Sequence, residues 1–216
     1  VHILFEPIDP GQPNNPIAIL ENSCRQRKNV VLVTLFSTKN ITGPQPGTCF
    51  LLHAGIVADK IQDTAFATAI DEDATEVLAT GTSMLKHYPA YQLSAFIEVL
   101  VPPVSLVIVG AGNDAQPLVS MANILGWQTT IVDGRATHAN TKRFPNVQRL
   151  IVGKPAEALR QIVPDDRTVF VLMTHNYNYD LDTLKLLLQT NGNYIGTLGP
   201  KKRLESMYAG LNEQGV

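Results

Sequence analysis

The feature that most constrains this chain is a glycine loop between an apolar run and a helix-like stretch. Ser105–Val109 is short and apolar, as a strand buried on both faces should be. It runs into Gly110-Ala111-Gly112-Asn113-Asp114-Ala115, which fits G-x-G-x-x-G/A with Ala115 in the third small position. Asp133 closes the next apolar run, 23 residues after Gly110. Each part has a mechanical reason. Gly110 permits the tight turn, Gly112 lets the backbone approach a pyrophosphate, and Ala115 lets helix and strand pack closely. The helix N-terminus, Asn113 included, offers free N–H groups to an anion. Asp133 at a strand end could accept a hydrogen bond from a ribose hydroxyl. The bland alternative is the same fold with a loop that holds no nucleotide. Arg135 either pairs with Asp133 or meets an anionic ligand.

The rest of this half keeps alternating. Strands are expected at 128–132, 148–152, 168–173 and 194–198, and helices at 114–125, 136–143, 155–162, 180–189 and 200–211. Such alternation predicts a doubly wound, Rossmann-like parallel sheet covered on both faces. The residues before it read differently. Strands are expected at 1–5, 30–36, 83–88 and 93–101, a hairpin near 49–57, helices at 17–26 and 61–79, and turn-rich connections at 9–16 and 41–48. Pro102-Pro103 cannot sit inside a helix, and the charge changes sign there. Residues 1–101 carry 6 basic and 10 acidic groups, and residues 102–216 carry 11 and 9. The expected division is a small α+β domain, 1–103, and a Rossmann-like domain, 104–216.

Two further loops belong to the C-terminal edge of the expected parallel sheet, where ligands bind in open α/β folds. Met173-Thr174-His175 follows the fourth strand. His175 is a candidate proton donor or acceptor, and Asp180 is a helix cap that could also orient it. The alternative is a histidine that only caps the strand end. Gly196 and Gly199 suggest close backbone approach after the fifth strand. Lys201, Lys202 and Arg203 then place three positive charges on a first helical turn, against the helix dipole. That suits an anionic ligand, or it is a solvated basic turn.

Composition excludes several classes. A net charge of -2 disfavours a strongly basic nucleic-acid binder. No apolar run approaches the ~20 residues that span a bilayer. Two cysteines, Cys24 and Cys49, make neither a disulfide framework nor a four-thiolate metal site, and both read as structural; a reducing cytoplasm is expected. No metal site is expected. Val1 in place of Met, opening on a strand-like run, suggests a piece of a longer chain.

On these residues the chain resembles the xanthine dehydrogenase accessory protein (XdhC/CoxI) family. The matching stretches are Ile108–Gly112, Gly126-Trp127, Ile131–Arg135, Phe144-Pro145, Met173–His175 with Asp180, and Tyr194–Gly199 with the basic run behind it. They follow family order over most of 104–204. Val1–Pro7 resembles the segment leaving that family's N-terminal domain, and Asn29–Pro103 its variable middle region. The chain departs from the family where Asn113 stands for a common His, and where His175-Asn176-Tyr177 stands for His-Asp-His. The Gly/Cys-rich N-terminal domain and a C-terminal segment have no counterpart here.

The resemblance implies a maturation chaperone that binds molybdenum cofactor and delivers it to a molybdenum hydroxylase, with a cysteine desulfurase as a further partner. Gly110, Gly112, Asn113, Ala115, Asp133, Arg135, His175, Gly196, Gly199, Lys201 and Arg203 are its expected cofactor-binding residues. His175 and Asp180 are the candidates for any catalysis. An NAD-dependent oxidoreductase and a non-catalytic nucleotide-sensing module remain alternatives. A homodimer is the expected assembly.

Overall fold

Strand-forming β-branched runs and capped helices divide between two units in a computed structural model, Val1–Pro102 and Pro103–Val216. The structure describes residues 3–11, 15–18, 20–21, 27–52, 56–57, 61–190, 192–213 and 215.

The first unit is built on an antiparallel sheet of β1 (Val30–Phe36), β2 (Gly47–Leu52), β3 (Ile56–Val57), β4 (Met84–Tyr88) and β5 (Leu93–Leu100), in the order β3-β2-β1-β5-β4. Helix α1 (Thr64–Thr80) begins where the Asp63 carboxylate accepts from the Phe66 N–H at 2.9 Å, and ends at Gly81 in the left-handed region. Its Phe66, Ile70, Ala74 and Val77 pack on Val31, Val33, Leu35, Ala95 and Ile97, every second residue of the central strands. Asp73 lies buried on the same helix. It accepts from the Tyr88 hydroxyl at 2.6 Å and from the Lys86 ammonium. Burial and this bond to Asp73 push the Tyr88 phenol well up. Cys49 is buried, with its thiol toward the Val33 carbonyl.

One expected strand is not found. Residues 3–9 carry no regular structure, and Val1 and His2 lie outside the described residues. The segment is held by a side chain instead of a ladder: the Glu6 carboxylate accepts from the Thr48 N–H at 2.9 Å and from its hydroxyl at 2.7 Å. The helix expected at 17–26 is helical at 16–18, 20 and 21; residues 19 and 22–26, with Cys24, lie outside the described residues.

The second unit is a parallel sheet of β6 (Ser105–Val109), β7 (Gln128–Asp133), β8 (Arg149–Val152), β9 (Thr168–Leu172) and β10 (Tyr194–Thr197), ordered β10-β9-β6-β7-β8. Helices α2 (Ala115–Ile124), α3 (Pro155–Leu159), α4 (Tyr177–Leu187) and α5 (Lys201–Glu213) connect or follow the strands. The sheet is buried on both faces. One cluster joins Val107, Val109, Phe170 and Leu172 to Leu184, Leu187 and Met207; the other joins Leu106, Ile108 and Ile131 to Ala115, Val119 and Phe144. That double cover is the Rossmann-like arrangement the alternation predicts.

The order matters for function. The chain leaves β6 toward β7 on one side, and later returns to lay β9 on the other. The crevice between the β6 and β9 loops is therefore the topological switch point, where open α/β sheets bind ligands.

Three helical expectations are corrected. Residues 136–143 form turns, because Asn140 satisfies the local backbone: its amide donates to the Thr137 carbonyl at 2.9 Å and its oxygen accepts from the Arg143 N–H at 3.1 Å. Helix α3 stops at Leu159 and tightens into i→i+3 bonds from Gln161 and Ile162 just before Pro164. Helix α4 starts three residues early, capped by Asn176, whose side chain accepts from the Tyr179 N–H at 3.2 Å. Asp180 is thus an interior residue of that helix and not its cap.

Candidate functional site

The β6 loop turns at Gly110, whose φ is 123°. A Cβ there would lie 2.6 Å from the Met173 carbonyl oxygen. Glycine is required because the loop crosses directly over the end of β9, which brings the glycine loop and the histidine loop side by side.

The acidic residue at the end of β7 faces inward. Asp133 is 3% exposed. One carboxylate oxygen accepts from the Ala111 N–H at 2.8 Å and from the Arg135 guanidinium at 2.8 Å; the other accepts from the Arg135 N–H and Nε, both at 2.9 Å. Burial pushes this carboxyl up. The bonds from Arg135 and Ala111 outweigh that and hold it below its ordinary value. Both oxygens are engaged, so Asp133 pins the glycine loop to the sheet and offers no free acceptor to a ribose. Of the two roles open to Arg135, the structure shows the ion pair.

Arg143 was not singled out by the sequence. Its guanidinium donates to the Ala111 carbonyl at 2.7 Å, the His138 carbonyl at 3.2 Å and the Asn113 side-chain oxygen at 2.8 Å. The loop is thus held from the Asp133 side through an N–H and from the Arg143 side through a carbonyl and an amide. The only signal in the sequence was an arginine ahead of Phe144-Pro145, in a segment read as a helix.

Across the crevice, His175 adopts a left-handed backbone, φ 60°. Its Nε2 lies 3.0 Å from a carboxylate oxygen of Asp114, and both side chains are substantially exposed. Asp114 precedes α2 yet makes no side-chain bond to that helix. Its carboxylate lies over Gly112 instead, where any Cβ would strike it. The orienting partner of His175 is therefore Asp114, from the other loop, and not Asp180.

Asp180 is committed elsewhere. It accepts from the Thr174 hydroxyl at 2.6 Å and from the Arg203 guanidinium at 2.6 Å. Burial raises its carboxyl against the opposing pull of Thr174 and Arg203. Tyr179 beside it donates to the Gly153 carbonyl at 2.7 Å, and burial, with Asp133 and Asp180 adding, pushes its phenol up to about 12.

This corrects the reading of the basic turn. Arg203 folds back onto Asp180, and the space among Asp180, Gly199 and Arg203 is about 10 Å³, room for a single water. Gly199, at φ 148°, would bring a Cβ within 3.3 Å of the Arg203 side chain, and a Cβ at Gly196 would lie 2.9 Å from the Tyr194 ring. Both close approaches are therefore to the chain's own side chains. Lys201 is solvent-exposed, 3.9 Å from Glu205. The residues that converge on the crevice are Gly110, Gly112, Asn113, Asp114 and His175, with Arg135 and Arg143 behind them. No cluster of three or more metal-ligating side chains occurs among the described residues. No helix among them is long and apolar enough to cross a membrane.

Comparison with known proteins agrees with this architecture. The chain is 30% identical over 128 residues to a probable xanthine dehydrogenase subunit from Bacillus subtilis strain 168, covering 57% of this chain and 38% of that protein. It superposes on the crystal structure of a xanthine dehydrogenase from Bacillus halodurans with a TM-score of 0.68 at 25% identity, covering 88% of this chain and 54% of that one. The chain spans about half or less of the length of these relatives. The family described as the XdhC Rossmann domain matches residues 106–216. On that match the chain belongs to the XdhC family, with its second unit as the Rossmann domain.

Proposed function

We propose that the chain serves the maturation of a xanthine dehydrogenase-type molybdenum hydroxylase, by holding molybdenum cofactor or a related phosphate-bearing ligand at the switch-point crevice and passing it to the client enzyme. The observation that carries this reading is the 3.0 Å bridge from His175 to Asp114. It brings the glycine loop and the histidine loop together on one crevice in an XdhC-type Rossmann domain. The names of the two Bacillus relatives supply the client class.

The residues present fit the phosphate-bearing part of such a ligand. Gly112 leaves a cradle that already accommodates an acidic oxygen, that of Asp114. The backbone of Gly112 and Asn113 would hold the phosphate, and His175 would donate to it from the opposite loop. Arg143 holds the loop directly, and Arg135 holds it through Asp133. When bound, the cofactor supplies the molybdenum centre that the hydroxylase needs; the chain's part is to bind, shield and release it. With Asp133 turned to Ala111 and Arg135, the ribose acceptor that an NAD-dependent oxidoreductase needs is taken.

The test loads the purified chain with molybdenum cofactor and measures the molybdenum and pterin it retains, then its effect on activation of an apo molybdenum hydroxylase. The expected result is retention near one per chain and faster activation. Gly112→Val should lose both while keeping its fold. Absence of retention by the unmodified chain, or tight NADH binding with hydride transfer, overturns the reading.

A further inference from the structure

The carboxylate of Asp114 lies over Gly112, in the cradle the glycine loop opens, and makes no cap bond to the helix it precedes. It is tethered from the far side by His175. A capping role would turn this side chain toward the amides of α2; here it faces the crevice. An aspartate in this place is a negative group held where a ligand's negative group would go. A phosphate and this carboxylate cannot share one cradle without cost, because two like charges a few ångströms apart repel.

We propose that Asp114 is the specificity-determining residue of the crevice: it stands in for the ligand's phosphate in the unliganded chain, and a phosphate-bearing ligand binds by displacing it and taking over His175. The inference rests on the reading of this crevice as the ligand site. It sets a threshold. A simple phosphate compound, with only its charge to offer, competes poorly against a tethered carboxylate. A ligand with further contacts outside the loop displaces it. The crevice thereby favours a larger phosphate-bearing molecule over the abundant small phosphates. His175 changes partner without losing one, so its Nε2 stays paired through the exchange.

The probes are inorganic pyrophosphate and AMP, titrated calorimetrically into the unmodified chain, Asp114→Asn and Asp114→Ala. Asn keeps the shape and removes the charge; Ala empties the cradle. Asp114 is exposed, so both variants should unfold at the midpoint of the unmodified chain. Both should bind pyrophosphate tighter by about tenfold or more, the factor that about 1.4 kcal/mol of removed repulsion gives. In the unmodified chain, pyrophosphate at saturating concentration should shift the Gly112 amide and the His175 ring resonances together.

Equal or weaker binding by the variants overturns the proposal, as does absence of pyrophosphate and AMP binding by all three chains. Should one variant fail to fold, the other and the paired resonance shift decide. Molybdenum cofactor retention is measured alongside. Tighter pyrophosphate binding by the variants without cofactor retention by any chain supports the role of Asp114 and overturns the maturation reading. Cofactor retention by the unmodified chain with pyrophosphate affinity unchanged in the variants does the reverse.

Discussion

Asp133 and Arg143 show how single residues hold a loop that has little regular structure of its own. Asp133 carries charge-assisted bonds to Arg135 and to the Ala111 N–H. Asp133→Asn weakens all of them and leaves Arg135 without its counter-charge, so a loss of about 2 kcal/mol is expected at neutral pH. The pH dependence follows from the direction of the shift. The folded-state carboxyl lies below its ordinary value of 3.8, so its stabilisation is fully present above 3.8 and is lost as the pH falls through the lower folded-state value. Urea unfolding at pH 7 and at successively lower pH should show the two chains apart at the first and converging as the pH falls below 3.8. Arg143→Ala acts on order more than on stability. It removes the bonds to Ala111 and Asn113, and amide hydrogen exchange at Ala111, whose N–H is bonded to Asp133, should speed up by about tenfold, as about 1.4 kcal/mol of lost local stability implies. Unchanged exchange would show that Asp133 alone holds the loop.

Two helices of the second unit are joined by a largely buried ion pair. Asp180 on α4 and Arg203 on α5 meet at 2.6 Å, with side-chain exposures of 3% and 19%. Removing one partner strands the other, so Arg203→Ala should cost about 3 kcal/mol, measured as a drop in unfolding free energy. The double variant Asp180→Leu with Arg203→Met should recover much of that loss, because neither charge is then left unpaired. Sequence periodicity made the elements themselves legible: short apolar runs spaced by helical stretches announced the parallel sheet, and Gly110 announced its turn. It did not reveal which side chains meet. Asp114 and His175 stand 61 residues apart, and Asp180 and Arg203 stand 23 apart. Such pairs are set by strand order, which composition and spacing leave open. Asp180 read as a cap because it stands at a helix start in the sequence, while Asn176 four residues earlier makes the cap bond. The stretch 136–143 read as a helix because local side-chain bonds from Asn140 leave no trace in a hydrophobic pattern.

Across the whole molecule, each unit owns a core. Phe66, Ile70, Ala74 and Val77 seal the antiparallel sheet, and the parallel sheet has two clusters of its own. A domain that carries its own core is expected to fold by itself. Residues 103–216 expressed alone should therefore give a cooperative thermal transition, and the pyrophosphate titration should run on them as it does on the full chain. Ile70 is fully buried, and Ile70→Ala should destabilise the first unit by about 2–5 kcal/mol. In the full chain that variant should lower the unfolding of the antiparallel unit while leaving amide protection in β6, β7 and β9 as it was, since Asp133, Arg135, Arg143 and His175 all belong to the second unit. Loss of protection in those three strands along with the first unit would mean that the two cores unfold as one cooperative body, and the crevice would then depend on the antiparallel sheet for its stability as well as on its own strands.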